Sequence, residues 1–109
     1  MAYSEELLQY CLEQLSDLEA LTHKKMFGGI GFFKEGKMFA GIIYGKFCLK
    51  VNDEIKSEFE HYGMEQPFPK DAKKGKGMPY YEVPPSILED KDKMTAWAMR
   101  SWEIAMNKK

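Results

Sequence analysis

The sequence predicts a two-layer α+β domain, an antiparallel sheet flanked by helices in the order α-β-β-β-α-β(β)-α. Two observations predict this class. Near both ends of the chain, apolar residues recur every three or four positions, which is typical of amphipathic helices. Between them, short apolar runs are separated by glycine-containing turns, which is typical of hairpins. Because hairpins join antiparallel strands, we expect an antiparallel sheet. The helices are then expected to cover one side of it.

The first two helices are predicted from apolar stripes and end signals. The first spans Ser4 to Leu21, with Ser4 as its N-cap. Its stripe consists of Leu7, Leu8, Cys11, Leu12, Leu15 and Leu18. A short second helix is capped by Asn52 or Asp53 and ends at Gly63.

The last helix begins either at a capping box formed by Ser86 and Glu89 or at Asp90 to Asp92. Its packing stripe consists of Met94, Trp97, Ala98, Ser101, Trp102 and Ala105.

Three strands are predicted in the middle of the chain, at residues 26–33, 37–44 and 47–51, and a short one at residues 80–84 that ends at Pro84. Gly36 and Gly45 supply the positive φ that the two hairpin turns need. In the third strand, alternation sends Phe47, Leu49 and Val51 towards the helices. Lys46, Cys48 and Lys50 then lie on the opposite face, which is expected to be partly wet.

Length and charge limit the classes of protein to which this chain can belong. A chain of 109 residues suits one core, so residues 1–109 are predicted to form a single domain. With 16 basic and 17 acidic residues, the chain is not a polycation built for nucleic acid. The two cysteines match neither a disulfide framework nor a zinc site. No signal peptide or membrane span is evident, so we expect a cytoplasmic protein without metal or cofactor.

The stretch MFGGIGFF, residues 26–33, raises the question of a phosphate-binding loop. Such a loop ends a strand and opens a helix, whereas here a turn and another strand follow the glycines. Glycine inside a strand instead marks a bulge or a close approach by other groups. We expect the sheet face that carries Gly29, Gly31 and Gly41 either to receive a helix of this chain or to be a surface that binds a partner. The partner surface would comprise Phe27, Gly28, Gly29, Gly31, Phe33 and Gly41.

Two further groups are candidates for binding or chemistry. Lysines on a flexible loop follow phosphates without sequence preference. A weak nucleic-acid contact would use Lys24, Lys25, Lys70, Lys73, Lys74 and Lys76.

Cys48 lies between Lys46 and Lys50 on one strand face, where ammonium groups would lower its pKa and create a reactive thiol. The alternative is a cysteine covered by its neighbours.

No catalytic constellation emerges from the remaining polar residues. His23 and His61, the two histidines, have no neighbouring residues in a metal-ligand pattern. The chain has one arginine, Arg100, which argues against base-specific reading of DNA.

The motifs KKMFGGIGFF, EGKMFAGI, FCLKV and MPYYEVP, followed by a tryptophan-containing helix, resemble the TfoX N-terminal domain family. The resemblance covers the chain from about Leu7 to Ala105. It implies a fold similar to that of secretion chaperones and a bacterial, cytosolic protein related to TfoX/Sxy competence regulators. It supplies no catalytic residues. We therefore expect a non-catalytic regulatory or protein-interaction domain that binds a protein partner or forms a homodimer, with weak nucleic-acid binding as the alternative.

Overall fold

The computed structural model describes residues 5–26, 29–64 and 79–107. Its elements in chain order are α1 (Glu5–Gln14), β1 (Leu21–Met26), β2 (Gly29–Lys34), β3 (Lys37–Ile43), β4 (Lys46–Lys50), α2 (Lys56–His61), β5 (Tyr80–Glu82), α3 (Pro85–Leu88) and α4 (Lys91–Asn107). None of the described helices is long and apolar enough to cross a membrane.

The strands of the described residues form one antiparallel sheet in the order β1-β2-β3-β4-β5, so each strand pairs with its neighbours in sequence. Two tight turns have positive φ at both central positions, Glu35 and Gly36 in the first, Tyr44 and Gly45 in the second. Turns with this backbone conformation match the twist of the flanking strands and therefore form short hairpins. The predicted α+β class, with an antiparallel sheet and flanking helices, is confirmed.

The first part of the sheet differs from the prediction. The predicted helix up to Leu21 is wrong, because α1 ends at Gln14 and Leu21 begins β1. Ala20, with φ +60°, reverses the chain between them. The apolar spacing misled the prediction because Leu15 and Leu18 remain buried in the turns after the helix. The single predicted strand of residues 26–33 is divided between β1 and β2.

The core lies on one face of the sheet. The four described helices all supply buried apolar residues to a cluster that includes Ile30, Phe32, Ile42, Phe47 and Leu49. Helix α4 packs across the middle strands β3 and β4. The predicted inward alternation of Phe47, Leu49 and Val51 is thereby confirmed.

A buried lysine joins three parts of the molecule. Lys34 is 6% exposed, and its Nζ donates a hydrogen bond of 2.9 Å to the carbonyl of Glu19. The same Nζ lies 4.7 Å from the centroid of the Trp102 ring. The Trp102 indole N–H donates to the Lys34 carbonyl at 3.0 Å. These contacts tie the α1–β1 turn and β2 to the last helix.

The helix starts agree with the prediction in part, and α4 begins at the second of its two predicted starts, Asp90 to Asp92. Asn52 Oδ1 accepts hydrogen bonds of 3.0 Å from the N–H groups of Glu54 and Ile55, so the predicted cap acts on the turn before α2. Pro84 is the N-cap of α3, so the capping box proposed at Ser86 does not form there. Asp90 Oδ1 instead accepts from the N–H of Lys93 at the start of α4.

Candidate functional site: the open face of the sheet

The sheet face opposite the helices is the candidate site. Paired residues of antiparallel strands lie on the same face, so the register defines this surface. We call it the open face; its apolar and small residues are Met26, Gly29, Gly31, Phe33, Met38, Gly41, Ile43 and Cys48. None of its apolar side chains belongs to the core cluster or packs against it.

One row of the register crosses the whole sheet. Lys24 pairs with Gly31, Gly31 with Gly41, Gly41 with Cys48, and Cys48 with Glu82. The middle of the row therefore consists of small residues, and its ends carry charges of opposite sign. Lys24 Nζ lies 5.7 Å from the centroid of the Phe33 ring, which places the ammonium group on this face.

The glycines make room for methionine side chains. A Cβ at Gly31 would lie 2.5 Å from Met26 Sδ and 3.4 Å from Met38 Cε. A Cβ at Gly41 would lie 2.9 Å from the carbonyl oxygen of Ile30 and 3.3 Å from Met38 Cε. At Gly29, a Cβ would run into the carbonyl of Ile42. The glycines thus permit close backbone and thioether contacts, and no described helix of this chain occupies the face.

The part of this surface on β1 to β3 is apolar and only half-covered, whereas Cys48, Lys50 and Tyr80 on β4 and β5 are buried. Met26, Phe33, Met38 and Ile43 are each partly exposed. Tyr44, at the tip of the hairpin between β3 and β4, is 51% exposed. Methionine is flexible and polarizable, so surfaces rich in it adapt to the shape of a partner. The open face can therefore bind apolar side chains without a preformed pocket.

The sequence predicted part of the open face. Gly29, Gly31, Phe33 and Gly41 share the open face, and Phe27 and Gly28 lie outside the described residues. Alternation along residues 26–33 as a single strand would place Met26 on the face of Ile30, but Met26 lies with Gly29 because the chain reverses between β1 and β2. The sequence reasoning also missed the flanking residues Met38 and Ile43. Their alternation with Ala40 and Ile42 in KMFAGII was the available signal.

The structure contradicts the expected lowering of the Cys48 pKa. Cys48 is fully buried, and this burial raises its pKa, with the carboxylate of Glu82 as the second cause. Lys46 acts in the opposite direction but is outweighed. The thiol donates a hydrogen bond of 3.4 Å to the Lys46 carbonyl. Lys50, which was expected on a wet face, is also buried, with its Nζ 5.4 Å from the Tyr80 ring centroid.

The candidate lysines do not form a shared basic surface where they are described. Lys24 and Lys25 are both exposed, but they are consecutive in β1 and lie on opposite faces of the sheet. The other candidates, Lys70, Lys73, Lys74 and Lys76, lie outside the described residues.

Two surface grooves have volumes of about 550 and about 560 Å³, and none of Met26, Phe33, Met38 and Ile43 lines either of them. Arg100 lines the first and Glu58 the second, and their side chains join in a double hydrogen bond of 2.7 and 3.0 Å. This contact holds the pKa of Glu58 below its usual value. His61, Tyr62 and Trp97 line the second groove. Within the described ranges, no group of three or more His, Cys, Asp and Glu side chains is placed to hold a metal ion.

The fold and the open face together define a class of small two-layer α+β domain whose antiparallel sheet keeps its helices on one side. The family model of the TfoX N-terminal domain matches residues 13–105, most of the chain. The chain therefore belongs to the TfoX N-terminal domain family. No curated protein shows a significant similarity to it.

Proposed function

We propose that this chain is a regulatory protein-interaction domain, without a reaction of its own, that binds a protein partner through the open face. As in the TfoX/Sxy regulators to which the family is related, the proposed setting is bacterial, cytoplasmic control of competence or transcription. The observation that carries the proposal is the half-exposed apolar surface of Met26, Phe33, Met38 and Ile43. A contiguous exposed patch of this kind is characteristic of an interaction site.

The chemical groups of the described residues support a non-catalytic role. Both thiols are buried, and burial raises the pKa of Cys11 to about 12 and that of Cys48 further. Neither is therefore a thiolate at neutral pH, the form that acts as a nucleophile. The guanidinium of Arg100 is engaged by Glu58.

A photo-crosslinking amino acid at Ile43 tests the proposal in cells of the native host. Position 43 is partly exposed on the open face, so a partner bound there should form an adduct identified by mass spectrometry. The same amino acid at Glu89, which is exposed near the start of α4, is the control and should not capture that partner.

Two methionine substitutions then test whether the face supplies affinity. Met38→Lys places a charge in the apolar surface and should reduce capture of the partner at least tenfold. Met106→Lys makes the same change at a methionine that is 44% exposed on α4, and should leave capture unchanged. Circular dichroism checks that both variants fold. Equal capture by the two variants would show that the open face does not bind the partner.

A further inference from the structure

We infer that the outer edge of β1 binds an extended, acidic segment of a protein partner, which adds to the sheet as a further strand. β1 is one of the two edge strands of the described sheet, where it pairs only with β2. The inference goes beyond the proposed function, because it concerns the backbone of an edge strand and not the side chains of the open face.

The strand β1 has the features of an edge that can accept another strand. It is six residues long, contains no proline, and keeps a continuous register with β2 from Leu21 to Met26. The other edge strand, β5, has three residues and lies between Pro79 and Pro84. Short strands and prolines hinder further pairing at an edge. Of the two edges, β1 is therefore the one suited to strand addition.

The hydrogen bonds between β1 and β2 show which backbone groups of β1 point outward. The N–H of Glu35 donates a hydrogen bond of 3.4 Å to the carbonyl of Ala20, so the N–H of Leu21 in the same peptide unit points away from β2. These directions alternate along an antiparallel strand. Leu21, His23 and Lys25 therefore direct their N–H and C=O groups outward. Among the described residues, no backbone group from outside the sheet pairs with them.

The side chains along this edge select an acidic strand. Lys24 and Lys25 are both exposed, and neither β1 nor β2 contains an acidic residue. Because the two lysines are consecutive, their side chains lie on opposite faces of the sheet. Two adjacent acidic residues of an added strand would likewise lie on opposite faces, one beside each lysine. Opposite charges on neighbouring strands stabilise their pairing.

A second copy of β1 fits this edge poorly. Each copy contributes two lysines, so the joined pair of strands would contain four lysines and no acidic residue. Like charges across an interface oppose association. The lysines thus discourage pairing of identical edges, as lysines on edge strands commonly do, while the same charges attract an acidic strand.

Fluorescence anisotropy with a labelled peptide tests the charge selection. The probe has blocked ends and consists of valine, two glutamates, two threonines and valine, in that order. Paired antiparallel with β1, it places its glutamates opposite Lys25 and Lys24. We expect saturable binding to the full chain that weakens as salt is added. The same peptide with lysines in place of the glutamates should not bind.

Reversing the charges of β1 should reverse this preference. Lys24→Glu combined with Lys25→Glu should weaken binding of the acidic peptide at least tenfold and allow the lysine peptide to bind, because both cross-strand pairs change sign. Lys46→Glu combined with Lys93→Glu makes the same change at two exposed lysines outside β1 and should leave binding of the acidic peptide unchanged.

Proline substitutions test the backbone pairing separately from charge. The N–H of His23 points outward, so His23→Pro removes a donor to the added strand and none from the ladder between β1 and β2. We expect this variant to fold, as checked by circular dichroism, and to lose the acidic peptide. An acidic peptide with prolines in place of its threonines keeps its charges and should not bind the wild type. This second control decides the question if His23→Pro does not fold.

The outcomes also separate this inference from the proposed function. Absence of binding by the acidic peptide overturns the inference, as does equal binding by its proline form or its lysine form. If the wild type forms a dimer in analytical ultracentrifugation that His23→Pro dissociates, a second copy occupies the edge and the inference is wrong. The crosslinker at Ile43 tests the open face independently of all these results.

Discussion

Tyr44 occupies a backbone conformation that suits it poorly. Its φ is +52°, and the following Gly45 has φ +78°. Both central positions of this hairpin turn are thus left-handed, a conformation that Asn, Asp and Gly adopt most readily. For a residue with a bulky side chain, the left-handed region costs about 1–2 kcal/mol. A strained residue at a half-exposed tip suggests a function that compensates for the cost.

Replacing Tyr44 with asparagine should relieve this strain. We expect Tyr44→Asn to raise the free energy of unfolding by about 1 kcal/mol, measured by urea denaturation. Tyr44→Phe keeps the ring and the backbone penalty, so it should show no such gain. A stabilised Tyr44→Asn variant that also loses its partner would place the tyrosine in the interface. A Tyr44→Asn variant no more stable than Tyr44→Phe would mean that the turn is not strained.

Strands β2 and β3 depend on their glycines to different degrees. A Cβ at Gly41 meets the carbonyl oxygen of Ile30, which the sheet holds in place. A Cβ at Gly31 meets chiefly the thioether of Met26, which can rotate away. We expect Gly41→Ala to lower the free energy of unfolding by roughly 1–3 kcal/mol and Gly31→Ala by less than about 1 kcal/mol.

Thermal and urea unfolding of the two glycine variants give this comparison directly. Gly31→Ala combined with Met26→Ala is the control, because removing the thioether takes away the closest contact of the new methyl group and leaves only those with Phe33 and Met38. If Gly31→Ala is as costly as Gly41→Ala, the methionines pack rigidly, and an adaptable open face is no longer supported.

The hairpins were predictable and the first strand was not. Glu35-Gly36 and Tyr44-Gly45 identify the turns because glycine supplies positive φ cheaply, and apolar alternation in FCLKV identifies the inward side of β4. LTHKKM contains no such alternation. It is an edge strand in which the four middle residues are exposed, so these residues are polar and do not show the apolar alternation of a strand that packs on the core. With β1 undetected, the face of Met26 was assigned incorrectly.

The charged residues next to Cys48 along the strand did not predict the direction of its pKa shift. Sequence alternation correctly placed it with Lys46 and Lys50, and proximity to lysine favours a thiolate. The degree of burial depends on what surrounds the strand, which adjacent residues do not specify. Desolvation exceeds the effect of Lys46 there, and the pKa rises. The sequence did place Gly29, Gly31 and Gly41 correctly on one face, because that position depends on the period of a strand and not on what surrounds it.

The two ends of the described chain are held together by contacts between elements that are far apart in the sequence. Neighbouring strands are consecutive in sequence, whereas α1 packs against α4 and Lys34 contacts both Glu19 and Trp102. Gln14 Nε2 donates a hydrogen bond of 2.8 Å to the carbonyl of Leu88 and adds a second long-range tie. The helical layer therefore closes only when the last helix is in place.

The two buried thiols, one on each side of the sheet, are native probes of how this molecule opens. Cys11 belongs to the helical core, and Cys48 lies under the open face. In the folded protein, a thiol reagent should react with both far more slowly than with a free thiol, and without the rise near pH 8.5 expected of one. Single Cys→Ala variants, labelled in increasing urea, report the two sides separately. Equal protection would show that the layers open together, whereas early labelling of Cys48 would show that the open face loosens first. Labelling of native Cys48 at the rate of a free thiol would contradict its burial.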